Sequence, residues 1–345
     1  MRHRALAPQR ALCTRQLSVL SFLSTASSRT KPPRERLPQP PPLPSPSTIR
    51  VSPQCELQVV DLRPRDRSVS VSKTFVLLHG APGTYNDYRY LVPSLRREAP
   101  DARIVALNQP GFGGASVKTP ELAQIATSTE SARLTLQAIK TLCAEEADDG
   151  VFLVGHSFGG HAAMEVASLG LDDQLKVNGI VLLASAGTRP HRVLRPRASA
   201  LAVEIFATYS RVSRELLAAF VKLLYTSVLG FNADFPASHY VAGVIRAGST
   251  DFSRVERNVE RLRAAEIPTL SAWSVDDEFM EDAVPTALAE SLRSSRRLAF
   301  SGAGHNLQKT RAPVLAAEIA AWANAILLGP NDKSHCGSSP VQRLP

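Results

Sequence analysis

No stretch of this 345-residue chain approaches the roughly 20 consecutive apolar residues that an α-helix needs to span a bilayer. The nearest candidate, Leu17–Leu23, is short and interrupted by serines. Cysteine is scarce as well. Cys13, Cys55, Cys143 and Cys336 lie far apart, with no C-x-x-C pair and no histidine at zinc-finger spacing. They read as free thiols in a reducing compartment, which argues against a disulfide framework and against a metal site. Acidic residues are missing from one segment altogether. Residues 1–31 contain no Asp or Glu and are rich in Arg, Ser, Leu and Ala, a composition that suits a mitochondrial transit peptide. A secretory signal around Leu17–Leu23, or a tail with no address on a cytoplasmic protein, are the alternatives.

The net charge of +9 sits mostly in the same region. Residues 1–50 carry nine Lys/Arg against the single acid Glu35, or +8, which leaves the remainder near +1. A nucleic-acid partner is therefore not expected for the chain as a whole, and any such role is confined to that basic segment. Residues 32–53 follow as a Pro-rich linker centred on Pro40-Pro41-Pro42-Leu43-Pro44, which cannot build a helix or an interior strand. The folded part is expected over 54–328, followed by a polar tail at 329–345.

Within the folded part, strands and helices alternate, the pattern of a mostly parallel sheet covered by helices. Glu56–Leu62 and Ser68–Ser72 read as leading antiparallel strands. Thr74–Leu78, Ile104–Leu107, Val151–Val154, Gly179–Leu183, Thr269–Ser274 and Arg297–Phe300 read as the parallel ones. Helices are expected at Asn86–Arg97, Leu122–Cys143, Pro285–Ser294 and Pro313–Leu327. From about Gly187 to Arg263 the alternation stops, and helical periodicity marks an insertion with twelve Lys/Arg against six Asp/Glu.

The chemistry-bearing stretch is Gly155-His156-Ser157-Phe158-Gly159-Gly160, between an apolar strand and a helix. Glycines two places either side of a serine suit a sharp turn that holds the hydroxyl in an exposed, strained conformation. The following helix N-terminus brings free N–H groups beside it. A serine hydroxyl needs a base oriented by a carboxylate. Two later strand ends supply candidates: Asp276-Asp277-Glu278 after Thr269–Ser274, and His305 in the Gly-rich turn after Arg297–Phe300.

The order serine, acid, histidine, with the turn His79-Gly80-Ala81-Pro82-Gly83, resembles the α/β-hydrolases of the lid-bearing kind from about Lys73 to Leu328. The resemblance implies an α/β-hydrolase fold, a mostly parallel sheet flanked by helices with a helical lid at about 187–263. It makes Ser157 the nucleophile, His305 the base and Asp277 the acid, with Asp276 an alternative because Ser274 stands where the family usually ends the strand on Gly. It places the oxyanion donors at the N–H groups of Ala81 and Phe158, and implies a cis Ala81–Pro82 bond and no cofactor. His79, His156 and His161 are read as structural.

Serine at position 157 argues against epoxide hydrolases and dehalogenases, which carry Asp there. The expected activity is a serine hydrolase, esterase- or lipase-like, acting on a small acyl substrate of lipid-like character. Proline iminopeptidases, cofactor-free haloperoxidases and carbon–carbon bond hydrolases share the arrangement, and a non-catalytic binding protein on this fold is a further alternative. In the insertion, Phe206, Leu216, Leu217, Phe220, Leu223 and Leu224 read as lid packing or an acyl pocket over Ser157. Its excess positive charge can attract an anionic substrate or a membrane surface.

Overall fold

The computed structural model describes residues 38–113, 116–117, 121–143, 150–173, 175–208, 210–329 and 339–345. The acid-free segment 1–31, read as a transit peptide, lies outside them, as do Cys13 and Cys336. The compact unit spans Gln39–Pro345.

Its strands are β1 (Ser47–Ser52), β2 (Cys55–Leu62), β3 (Lys73–Leu78), β4 (Ala102–Leu107), β5 (Ser116–Val117), β6 (Gly150–His156), β7 (Val177–Leu183), β8 (Thr269–Ser274), β9 (Arg296–Phe300) and β10 (Gln342–Leu344). The helices are α1 (Leu91–Glu98), α2 (Leu122–Ile125), α3 (Ser128–Leu142), α4 (Phe158–Asp172), α5 (Pro196–Thr208), α6 (Arg211–Leu223), α7 (Ala237–Gly248), α8 (Phe252–Ala264), α9 (Ala283–Ser291), α10 (Leu307–Thr310) and α11 (Ala312–Leu327). One sheet runs β1-β2-β4-β3-β6-β7-β8-β9-β10, with β5 pairing β2 off that path. β2 is antiparallel to both β1 and β4, and every neighbour pair from β4 through β10 is parallel.

Strands buried on both faces are largely apolar, and β3, β4, β6 and β8 are buried at every position, their polar members such as Lys73 and Arg103 paired with Asp101 and Asp61. Alternate side chains serve opposite layers. Phe75, Leu77, Phe152 and Val154 face α1 and α11, where Leu91, Leu95, Leu315 and Ile319 cover them. Val76, Leu78, Leu153 and Ile180 face α3, α4, α8 and α9 through Ile139, Val166, Val259 and Leu288. This two-sided packing fixes the C-terminal ends of β3, β6, β8 and β9 along one rim, the place where loops can meet.

Several expectations change at the edges. Ser68–Ser72 is not a strand; the antiparallel partner of β2 is β1, drawn from the segment read as linker. Leu43, within the proline run, is buried in the core and its N–H donates to Asn86 Oδ1 at 3.1 Å. Proline excludes helix there but leaves an extended edge strand available once the prolines end. The expected polar tail likewise returns, and Gln342–Leu344 pair with Leu298–Phe300. The helix expected over Leu122–Cys143 breaks at Ala126-Thr127, where Thr127 caps α3 by accepting from the Glu130 N–H. The insertion is helical as expected, but its last helix, α8, packs on α4 as part of the main layer.

Starting the chain at Pro53 should therefore remove β1 and Leu43 from the fold. Thermal unfolding of residues 53–345 against 39–345 is expected to show Tm lower by at least about 4 °C for the shorter form. Equal values would mean that β1 adds nothing.

Candidate active site

The serine turn is built from close contacts that only glycine permits. A Cβ at Gly159 would lie 2.0 Å from the Leu78 carbonyl oxygen, and one at Gly155 would lie 2.3 Å from the Gly159 carbonyl oxygen. Gly160 would meet Ser185 Oγ at 2.0 Å. The first turn of α4 is thus pressed against the ends of β3 and β6. Ser157 between them has φ 55° and ψ −124°, a backbone state that costs a non-glycine residue about 1–3 kcal/mol. Three hydrogen bonds hold it there. Its N–H donates to Leu183 O at 3.0 Å, and its carbonyl accepts from Gly160 N–H at 2.9 Å and Ala186 N–H at 3.2 Å.

The turn after β3 packs onto this one: a Cβ at Gly80 would sit 3.2 Å from both Ser157 Cβ and His156 Nδ1. The Ala81–Pro82 bond is cis, as the resemblance implies. Among the described residues, neither the Ala81 nor the Phe158 N–H donates to a partner within the chain. His79 does not compete as a base. Its Nδ1–H donates to Gly80 O at 2.6 Å, and its Nε2 accepts from the Gln109 N–H at 2.9 Å. Burial pushes its pKa down to about 3, with the Arg246 charge adding to the effect.

On the next turns along the rim, Asp277 Oδ2 accepts from His305 Nδ1 at 2.7 Å, both side chains being buried. Asp276 goes elsewhere. Its Oδ1 accepts from Ser274 Oγ and from Gly304 N–H, so it braces the turn that carries His305. Ser274 is part of the same brace, its Oγ accepting from the N–H groups of Ala303 and Gly304. Burial alone would raise the Asp277 pKa. The hydrogen bond and charge of His305, with the N–H groups of Met280 and Phe279, outweigh it and hold the carboxyl below 3.8. That geometry fixes the proton of His305 on Nδ1 and leaves Nε2 as the acceptor.

Ser157 and this pair share one rim, tied through His156. The His156 Nε2–H donates to His305 O at 3.0 Å, and the two rings lie 4.8 Å apart. The structure thus joins Asp277 to His305 directly. It brings Ser157 alongside without a hydrogen bond from Ser157 Oγ to the imidazole among the described residues. Phe158, Ala186, Leu194 and Met280, with Ala81 and Phe279, form an apolar shell at this point.

Two features had no signal in the sequence. Arg192 donates through Nη2 to the carbonyls of Asp277 and Met280 at 3.2 and 2.9 Å, while Arg189 and the Arg192 N–H hold Glu281. The start of the insertion is therefore latched to the acid loop. His191, between those arginines, is buried with its ring 5.9 Å from that of Phe158, and neither nitrogen has a hydrogen-bond partner among the described residues. Only spacing in three dimensions makes these visible. Open clefts of 720 and 620 Å³ lie elsewhere, one lined by Arg63, Arg65, Arg67 and Arg96 and the other by Arg296 and Trp322. Pairing of buried polar groups, rather than concavity, locates the site.

With fold and geometry in view, residues 75–319 match the alpha/beta hydrolase family, and the chain belongs to it. An uncharacterized Caenorhabditis elegans protein is 23% identical over 212 residues, 61% of this chain; the match spans 57% of that protein's length. Similar solved structures include an alpha/beta hydrolase fold protein from Burkholderia ambifaria (TM-score 0.58, 16% identity, 81% of this chain and 99% of that one). A thioesterase domain from the curacin biosynthetic pathway gives TM-score 0.55 at 16% identity, covering 79% and 98%. A bromoperoxidase from Bacillus anthracis gives 0.56 at 17%, covering 81% and 100%. At these identities the likeness is one of fold.

Gly159→Ala should cost at least about 2 kcal/mol in urea unfolding, because the new methyl meets backbone that cannot move aside. The buried histidines predict acid lability. Burial lowers His79 to about 3, His161 and His239 to about 4, and His156 well below 6.5. The unfolded chain takes up these protons near pH 6.5 and the folded chain does not. Stability is therefore full above pH 6.5 and lost as pH falls toward the folded values. The urea midpoint should drop between pH 6.5 and 5, each histidine contributing a slope approaching about 1.4 kcal/mol per pH unit; a flat profile would refute this.

Proposed function

We propose that this protein is a cofactor-independent serine hydrolase that cleaves an ester or related acyl bond. The observation that carries the reading is the 2.7 Å contact between Asp277 Oδ2 and His305 Nδ1, set on the rim that holds Ser157. With Nδ1–H committed to the carboxylate, the Nε2 lone pair is the one base that can take the Ser157 proton. Hydrogen bonds of this kind often tighten only when substrate is bound, so the open serine is compatible with the role.

In the proposed reaction Ser157 Oγ attacks the acyl carbon as its proton passes to His305 Nε2. The carbonyl oxygen becomes an oxyanion held by the N–H groups of Ala81 and Phe158, and Asp277 stabilises the imidazolium. His305 then gives the proton to the leaving oxygen, nitrogen or sulfur, leaving an acyl-enzyme. Water repeats the sequence and frees the acid. The shell of Phe158, Leu194, Met280 and Phe279 supports an apolar acyl group, and the unpartnered nitrogens of His191 can donate to or accept from a polar group within it.

Ser157→Ala should abolish labelling by a fluorophosphonate probe, and Asp277→Asn should lower turnover on acyl esters about 10⁴-fold with circular dichroism unchanged. Labelling that survives Ser157→Ala, or turnover indifferent to His305→Ala, would overturn these residue roles, and a wild type that neither labels nor turns over esters would leave a binding protein on this fold as the account.

A further inference from the structure

Helix α7 covers the turn that carries Ala81. Phe206 and Leu217 turn inward from α5 and α6 to join Phe112, Val241 and Ile245 in one apolar cluster that Ala81 also touches. Leu216, Phe220 and Leu223 face solvent instead. A Cβ at Gly243 would lie 3.3 Å from Pro82 Cδ, so α7 sits directly on the cis-proline turn. Three residues further along α7, Arg246 points into the same packing and is fully buried.

Arg246 forms no ion pair among the described residues. Its donors go to neutral oxygens: Nε to the Ala126 carbonyl at 3.1 Å, Nη1 to Gln109 Oε1 at 2.9 Å, and Nη2 to Ser131 Oγ. Burial pushes its pKa down to about 9, so it stays charged at neutral pH. A charge without a counter-charge is costly to bury, and an apolar side chain of similar volume would fill the space without that cost. What the guanidinium does that an apolar side chain could not is orient Gln109. Because a guanidinium only donates, the Gln109 oxygen must face it, and the Gln109 NH2 must face the other way. That NH2 donates to the His79 carbonyl, while the Gln109 N–H donates to His79 Nε2 at 2.9 Å.

His79 passes this orientation on. With Nε2 accepting from Gln109, its proton is on Nδ1, which donates to the Gly80 carbonyl at 2.6 Å. The Gly80 carbonyl and the Ala81 N–H belong to one planar peptide and point in opposite directions, so holding the carbonyl aims the N–H. We propose that Arg246 is a positioning residue for the oxyanion site, acting through Gln109 and His79 to fix the Gly80–Ala81 peptide and so aim the Ala81 N–H. This rests on the hydrolytic reading given above. It adds to that reading a residue of the insertion, 165 positions after Ala81, on which the alignment of the oxyanion donor depends.

The test is turnover of a short acyl ester by the full chain, expressed per active site counted by exhaustive titration with a fluorophosphonate probe. Arg246→Met should lower kcat per site at least about tenfold with KM within about twofold, because the loss falls on the transition state. The number of titratable sites should match wild type, whereas a merely structural role would reduce that number and spare the rate per site. Gln109→Met breaks the same chain and should behave alike, and the double variant should lose no more than the worse single one. Should Arg246→Met fail to fold, Gln109→Met decides by the same measurements. The proposal alone is overturned if wild type is active and either folded variant keeps kcat per site within about twofold, or if the two losses multiply. A wild type that neither labels nor turns over esters overturns the hydrolytic reading and the proposal with it.

Discussion

The site depends on backbone crowding at the start of α4. With 2.0 Å between a hypothetical Cβ at Gly159 and the Leu78 carbonyl, the helix can reach the strand ends only where side chains are missing. That closeness forces Ser157 into its positive-φ state and leaves the first N–H groups of the helix beside the hydroxyl. The strain persists because Leu183, Gly160 and Ala186 fix the same residue from three directions. A looser packing would relax the serine and lose its orientation together.

Beyond the serine, the rim is held by polar groups committed to defined partners. His79 is locked by Gly80 and Gln109, and His156 by the His305 carbonyl. Asp276 braces the turn and Asp277 takes the imidazole. In a buried setting an unsatisfied polar group is costly, so near the serine the nitrogens of His191 and Nδ1 of His161, both without a partner among the described residues, stand out beside Nε2 of His305. Arg192 extends the same economy to the insertion, since its two bonds to carbonyls of the acid loop tie the position of Asp277 to residues 85 and more positions upstream.

Much of this could be read along the chain. The central parallel strands are mostly apolar runs, and Gly155, Ser157 and Gly159 announce a turn whose steric reason is the close approach to Leu78 O and Gly159 O. The choice between Asp276 and Asp277 was open, because adjacent acids at a strand end differ only in which way each side chain leaves the backbone. β1 and β10 were missed because edge strands bury little and so carry weak periodicity, and proline or polar neighbours mask them. The split of the insertion's leucines between inner and outer faces also escaped, because an apolar residue at helical spacing says that a face exists and not what covers it. Latches such as Arg192 to Asp277 O leave no pattern at all, for they join a side chain to a carbonyl that every residue possesses.

The tie between His156 and the carbonyl of His305 closes a span of 149 residues. During synthesis, the ribosome would extrude the strained serine turn long before the strand that delivers its imidazole neighbour. For that interval the emerging polypeptide can already hold β3, β4 and β6, yet the rim remains half-built. Completion waits on the last parallel strands, whose pairings join residues far apart in sequence. Until β9 is in place, His305 and Ser157 cannot share the rim.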